Sequence, residues 1–466
     1  MENSMDVAGI AAGHPATAEA GVAILRQGGN AADAAVAAVL ASCVAETVMT
    51  GIAGGGHAIW WDAGAQEARL LDFFVAVPGL GDPRAPSTLV ELEIGFGEQV
   101  VPYTVGIATC AVPGVPAGLD ALWRRYGTLP WHILCEPALN LARKGVEMPA
   151  AHATCLAMLE PVFRLREGAR IYAPGNDLLQ AGDRLEQPGL VQAFELVAAE
   201  GAATFYRGTI AQELLALMDE RGGLITGADL DAYEARWEDP IESELAGVRL
   251  STRGDLAGIA GTARRLPRLR TLDPPARALA LVRVLAAADR LGHTTNLTVV
   301  DAGGNGCVVT TSLGLGSGDW LPGLDLHLNS MLGETELVVD RLVPGERMHS
   351  MMAPTVAFDD AGLVLAAGSA GGSRLRSALI QVLAGVLDEG LHPIAAVERP
   401  RLHPSGSLVH VEPGFDDDVL EALEASGYEV RRWPSPHHYF GGTSVVGRAG
   451  AAADPRRDGL ALTLEG

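Results

Sequence analysis

The run His293-Thr294-Thr295-Asn296-Leu297-Thr298-Val299-Val300-Asp301 decides how the rest of the chain is read. It follows an Ala- and Leu-rich, helix-like segment that ends in Gly292-His293. Its core, Leu297 to Val300, is largely β-branched and suits a pleated, half-buried surface. Ala302-Gly303-Gly304-Asn305 supplies turn residues, and Cys307-Val308-Val309-Thr310-Thr311-Ser312-Leu313 is the expected returning strand. A four-residue loop pairs Asp301 with Gly306, which sets Thr294 beside Leu313 and close to Ser312. A slip of one residue would exchange those two neighbours, so the hairpin predicts proximity and no more.

Around this hairpin lies a chain of 466 residues, long enough for two or three domains or one large layered domain. An apolar content of 48% supports a sizeable core, and the mean hydropathy of +0.19 describes a soluble protein. The net charge of −23, from 34 basic and 57 acidic groups, argues against binding a nucleic-acid backbone or an anionic membrane. The most hydrophobic long segment, Ala31 to Val44, is too short to span a bilayer. Met1 to Asp6 lacks the basic and apolar regions of a signal peptide, which points to the cytoplasm. Cys43, Cys110, Cys135, Cys155 and Cys307 are odd in number and form no CxxC pair. They are expected to be mostly small buried residues, not a disulfide framework or zinc site. His437-His438 is expected to be a loop pair, because neighbours on an extended segment face opposite ways. No metal and no cofactor are expected.

Pro15 to Gly28 has helical spacing, and Asn30 can cap a second helix whose Ala-rich run is apolar nearly all round, as in a buried layer. Gly51 to Gly56 precedes the strand His57 to Trp61. No Lys-Ser/Thr follows and no helix opens there, so tight backbone packing explains these glycines better than a phosphate loop. Arg264 to Arg270 is a basic cluster, expected as a solvated face or a linker. Gly314 to Gly318 is expected to be a flexible loop. Further on, the strand Leu363 to Ala367 leads through Gly368-Ser369-Ala370-Gly371-Gly372-Ser373-Arg374 into a helix closed by Gly390. A strand, a glycine nest and a helix N-terminus make a site for negative charge.

Thr294-Thr295 at a strand start is ordinary β propensity when taken alone. With Ala111 to Gly118, Gly127 to Trp131, Phe205 to Gly208, Gly222 to Thr226 and the C-terminal Asp454 to Gly459, it resembles the γ-glutamyltranspeptidase family of N-terminal nucleophile hydrolases, along nearly the whole chain. The resemblance implies an α+β fold, a four-layer αββα sandwich with two central antiparallel sheets. It also implies self-cleavage between His293 and Thr294. Subunits 1–293 and 294–466 would then pair as one structural domain that opens small-molecule amides. By the same resemblance Thr294 is the nucleophile and Ser312 its supporting hydroxyl, while Gly371 and Gly372 offer backbone N–H groups to the oxyanion. A freed α-amine, with a pKa of about 7.7–8.0, can then serve as base for the threonine's own hydroxyl.

The departures concern recognition. Asn296 stands in the family's His position, and Phe74 stands where an Arg would clamp the substrate's α-carboxylate. Of a serine pair, Ser350 is kept and Met351 has replaced its neighbour. Met331 replaces a polar residue near the α-amine, and Glu334 is its acidic partner. An aromatic ring cannot replace a bidentate Arg–carboxylate pair, and an unpaired buried carboxylate costs several kcal/mol. The glutathione metabolism implied by the family is therefore disfavoured, and a more apolar acyl group with an amine near Glu334 is expected. The alternatives on this scaffold are an acylase or C–C bond hydrolase, or a non-catalytic relative that binds a metabolite.

Overall fold

The computed structural model describes residues 7–81, 87, 89–96, 99–286, 294–372 and 374–464. His293, on the far side of the expected cut, lies outside them. The strands of the two large sheets are, in chain order, β1 (Gly9–Ala12), β2 (Gly55–Asp62), β3 (Glu67–Phe73), β4 (Arg236–Glu238), β5 (Ile241–Leu245) and β6 (Val248–Thr252). They continue as β7 (Thr295–Val300), β8 (Gly306–Ser312), β9 (Thr355–Asp359), β10 (Gly362–Ala370), β11 (Gly442–Gly447), β12 (Gly450–Ala453) and β13 (Leu460–Thr463). One sheet has the order β13-β1-β7-β8-β2-β3-β4 and the other β12-β11-β10-β9-β6-β5. All these pairings are antiparallel.

Alternation along each strand sorts its side chains between two cores. Ile59 and Trp61 on β2, Val308 on β8 and Val300 on β7 meet Val356, Phe358 and Val446 of the opposite sheet. Their neighbours Ala58, Trp60, Val309 and Val299 point the other way, onto helix α2 (Ala31–Ala45). Every residue of α2 is buried, as its unbroken apolar surface requires, and Asn30 and Asp33 close its start with a capping box. On the outer side of the second sheet, Leu365, Ala367 and Val445 pack under α3 (Pro274–Leu285) and α4 (Arg374–Leu387). The order is therefore helices, sheet, sheet, helices: the expected αββα sandwich.

Three local expectations change. First, Val300, not Asp301, pairs with Gly306. Asp301 is drawn out of the ladder because its carboxylate accepts from Gly303 and Asn305 N–H groups and from Ala31 N–H at the start of α2. Second, Gly314 to Gly318 is not a free loop. It is buried, with Leu315 N–H bonded to Ser330 Oγ and Gly318 N–H to His327 Nε2. Third, β10 runs on to Ala370, so the glycine nest begins at Gly371.

The Gly51–Gly56 segment is held by close approach. A Cβ on Gly54 would lie 2.2 Å from Ser312 O, and Gly54 O accepts from Gly114 N–H at 2.8 Å. All five cysteines are buried and free. In the Arg264–Arg270 cluster, Arg268 and Arg270 lie beside Asp388 with exposed guanidinium groups. His437 and His438 do not face opposite ways: their ring centroids lie 4.1 Å apart, because His437 Nδ1 accepts from Tyr439 N–H at the start of the buried single turn His438–Phe440.

Candidate active site

The corrected register matters most at the strand ends. Thr295 pairs with Thr311, so one further step sets Thr294 directly opposite Ser312. Thr294 and Ser312 share strand parity with Val300 and Val308, the side chains between the sheets. Both border a small cavity of about 30 Å³, room for one or two waters. Its wall also includes Phe74, Glu334, Ser350, Met351 and Gly372, so residues widely separated in sequence converge there. A larger cleft of about 280 Å³ between α3 and the segment 399–419 contains none of them; size does not locate this chemistry.

Each wall residue is positioned by its own element. Gly371 (φ +125°) and Gly372 (φ +61°) turn the chain from β10 into α4 in the left-handed region that side chains rarely adopt. A Cβ on Gly371 would also stand 2.8 Å from Gly441 Cα. Gly372 borders the cavity, and the start of α4 lies just behind it. Ser312 Oγ accepts from Gly314 N–H at 3.0 Å. Ser350 is set from behind: its N–H donates to Asp255 and its carbonyl accepts from Arg253 at 2.9 Å.

Glu334 is the only acidic or basic residue lining the cavity among those described. It is buried and accepts from Leu315 N–H at 3.2 Å. Burial first, and then the nearby Glu336, push its carboxyl group up to about 8. The remaining wall is apolar: Phe74, Met331, Leu337, Met351, Met352 and Leu375. Phe74 stacks on buried His57 with ring centroids 5.5 Å apart, and its N–H donates to Asp72 at 2.8 Å. Asn296 stays out of the wall. It bonds the Thr310 hydroxyl at 2.8 Å, in space left by Gly368.

Sequence reasoning missed two groups behind Thr294. Arg457 donates to the Thr294 carbonyl at 3.1 Å, and Glu46 accepts from the Thr295 hydroxyl at 2.5 Å. In the sequence Arg457 stands out only as part of the terminal motif Asp454 to Gly459. A usable signal for Glu46 was available: an acid directly after a helix that is apolar all round. Among the described residues no cluster of His, Cys, Asp or Glu is placed to hold a metal, and no helix is long and apolar enough to cross a membrane.

Two facing antiparallel sheets, with a threonine at the buried start of a central strand, define the N-terminal nucleophile hydrolase fold. Cephalosporin acylase from Bacillus halodurans superposes with a TM-score of 0.82 over 99% of this chain and 96% of that one; at 22% identity this concerns the fold alone. The glutathione hydrolase proenzyme of Bacillus subtilis (strain 168) is 26% identical, covering 98% of this chain and 91% of its own. The acylase ACY 1 proenzyme of Pseudomonas sp. (strain V22) is 27% identical, covering 97% and 93%. The Gamma-glutamyltranspeptidase family profile matches residues 17–273 and 262–464, and the chain belongs to that family.

Proposed function

We propose that this protein is an enzyme that cuts its own chain between residues 293 and 294 and then opens amides of small molecules with an apolar acyl group. The observation that carries this is one cavity in which Thr294, Ser312 and Gly372, the second glycine of the left-handed turn, meet a wall that is otherwise apolar except for Glu334 and Ser350. In self-cleavage the Thr294 hydroxyl attacks the preceding carbonyl, the acyl group moves from nitrogen to oxygen, and water hydrolyses the ester. Residues 1–293 and 294–466 remain paired as two subunits, and Thr294 gains a free α-amine.

In turnover that amine takes the hydroxyl proton as Thr294 Oγ1 attacks the substrate carbonyl. Ser312 supports the hydroxyl, and the N–H groups of Gly371 and Gly372 receive the oxyanion, each such donor lowering the barrier by about 3 kcal/mol. The amine leaving group departs with the proton, and water or another amine resolves the acyl-enzyme. Phe74, Met351 and the neighbouring methionines form the acyl site; thioether side chains are flexible enough to give way as a group enters. With Phe74 in place of a guanidinium, this wall suits the acylase branch better than a glutathione hydrolase. The five free buried cysteines suit a reducing compartment, consistent with a cytoplasmic enzyme.

The test is a denaturing gel with intact mass. Division of 48.5 kDa in proportion to length predicts bands of roughly 30 and 18 kDa, and Thr294→Ala should remain a single inactive chain. Full-length wild-type protein that still hydrolyses aryl-acyl amides would refute the proposal.

A further inference from the structure

We infer that Glu46 is a positioning residue: from the helical side of the sheet it holds Thr295 and so aims Thr294 into the cavity. The inference rests on the proposed function and adds to it what orients the nucleophile once its N-terminal neighbour is gone. Successive side chains of a strand point to opposite faces, so while Thr294 faces the second sheet, Thr295 faces α2. There Glu46, buried at the C-terminal cap of α2, accepts from the Thr295 hydroxyl at 2.5 Å through one oxygen and from the Thr17 hydroxyl at 2.6 Å through the other.

The surroundings are built around this contact. A Cβ on Gly13 would lie 3.1 Å from Glu46 Oε2 and 3.2 Å from Thr295 Oγ1, so a side chain there would crowd both partners of the bond. Buried Arg457 attracts Glu46 and donates to the Thr294 carbonyl at 3.1 Å. Thr50 donates to the hydroxyl of Thr311, the cross-strand partner of Thr295, at 2.9 Å. A strand end freed by cleavage frays unless tied down. Here the carbonyl of Thr294 and the side chain of Thr295 are both tied, which leaves the Thr294 hydroxyl and amine for the chemistry. A misplacement of about 1 Å in a reacting group costs about a hundredfold in rate, which makes such a tie a catalytic matter.

The test compares Thr295→Val, Thr295→Ser and Glu46→Gln in the full chain. The cleaved fraction is measured by intact mass, and kcat and KM per cleaved enzyme are measured on an aryl-acyl anilide. Valine keeps the shape of threonine without the donor, and serine restores the donor. Thr295→Val is expected to lower kcat at least tenfold with KM within about twofold, and Thr295→Ser to recover most of it. Glu46→Gln combined with Thr295→Val should lose no more than Thr295→Val alone, because both act through one bond. Equal losses from valine and serine, additive losses in the pair, or a lower Tm with kcat unchanged would each overturn the inference. If Glu46→Gln does not fold, the valine–serine comparison decides it. Wild-type protein that neither cleaves nor hydrolyses would instead sink the proposed function, before any variant is made.

Discussion

Replacing Phe74 with Arg probes the substrate class directly. Phe74 is 1% exposed, borders the cavity, and packs against His57, whose burial keeps its imidazole neutral. Asp72, which accepts from the Phe74 N–H, already lies 3.5 Å from the Arg347 guanidinium. In Phe74→Arg the new cation is therefore only partly compensated, and the folded protein loses a few kcal/mol. A substrate α-carboxylate supplies what is missing. Charge-assisted hydrogen bonds are worth about 1.5–3 kcal/mol net, and an apolar acyl group loses a comparable contact with the ring, about 1.5–3 kcal/mol. Together these shift the preference for γ-glutamyl over aryl-acyl amides by about 3–6 kcal/mol, or about 10² to 10⁴-fold. The assay is kcat/KM for two anilides sharing one leaving group, measured per cleaved enzyme, with a thermal melt to register the stability loss. A ratio that stays the same in folded, cleaved Phe74→Arg would refute the assignment of Phe74 to the acyl wall. A wild type that already favours the γ-glutamyl anilide would do the same.

Gly371→Ala should lower kcat by about 10² to 10³ with little change in KM, since it strains a left-handed turn and displaces an oxyanion donor; unchanged single-turnover rates would contradict that role. Glu334, held up to about 8 by burial, is neutral at pH 7. Turnover of uncharged acyl groups should fall relative to amine-bearing ones as pH passes about 8, and Glu334→Gln should abolish that divergence in paired pH profiles. The same group should cost stability with rising pH. Its contribution is intact below the ordinary 4.5 and is lost as pH climbs to about 8, so Glu334→Gln should flatten urea midpoints across that window. At the acid end, burial lowers His14 to about 4 and His152 to about 3. The unfolded chain takes up protons below 6.5 that the folded one refuses, so stability should fall from 6.5 towards 3, and less steeply in His152→Gln.

Much of this was legible in sequence because it depends on local rules. The all-apolar helix after Asn30, the β-branched run after Thr294, and the strand–glycine–helix passage at Gly371 each carry a period or a turn requirement that composition alone expresses. Tertiary structure decided the rest. Whether Thr294 faces Ser312 or Leu313 turns on one residue of register, set by Asp301 bonding the start of α2 from 270 positions away. That Gly314–Gly318 is pinned, that burial raises the Glu334 carboxyl, and that Glu46 and Arg457 bond Thr295 and Thr294 all depend on partners brought together from distant parts of the chain. Side-chain direction and local dielectric are properties of the packed neighbourhood, and no linear pattern encodes a neighbourhood assembled from a helix end, two sheets and a C-terminal turn.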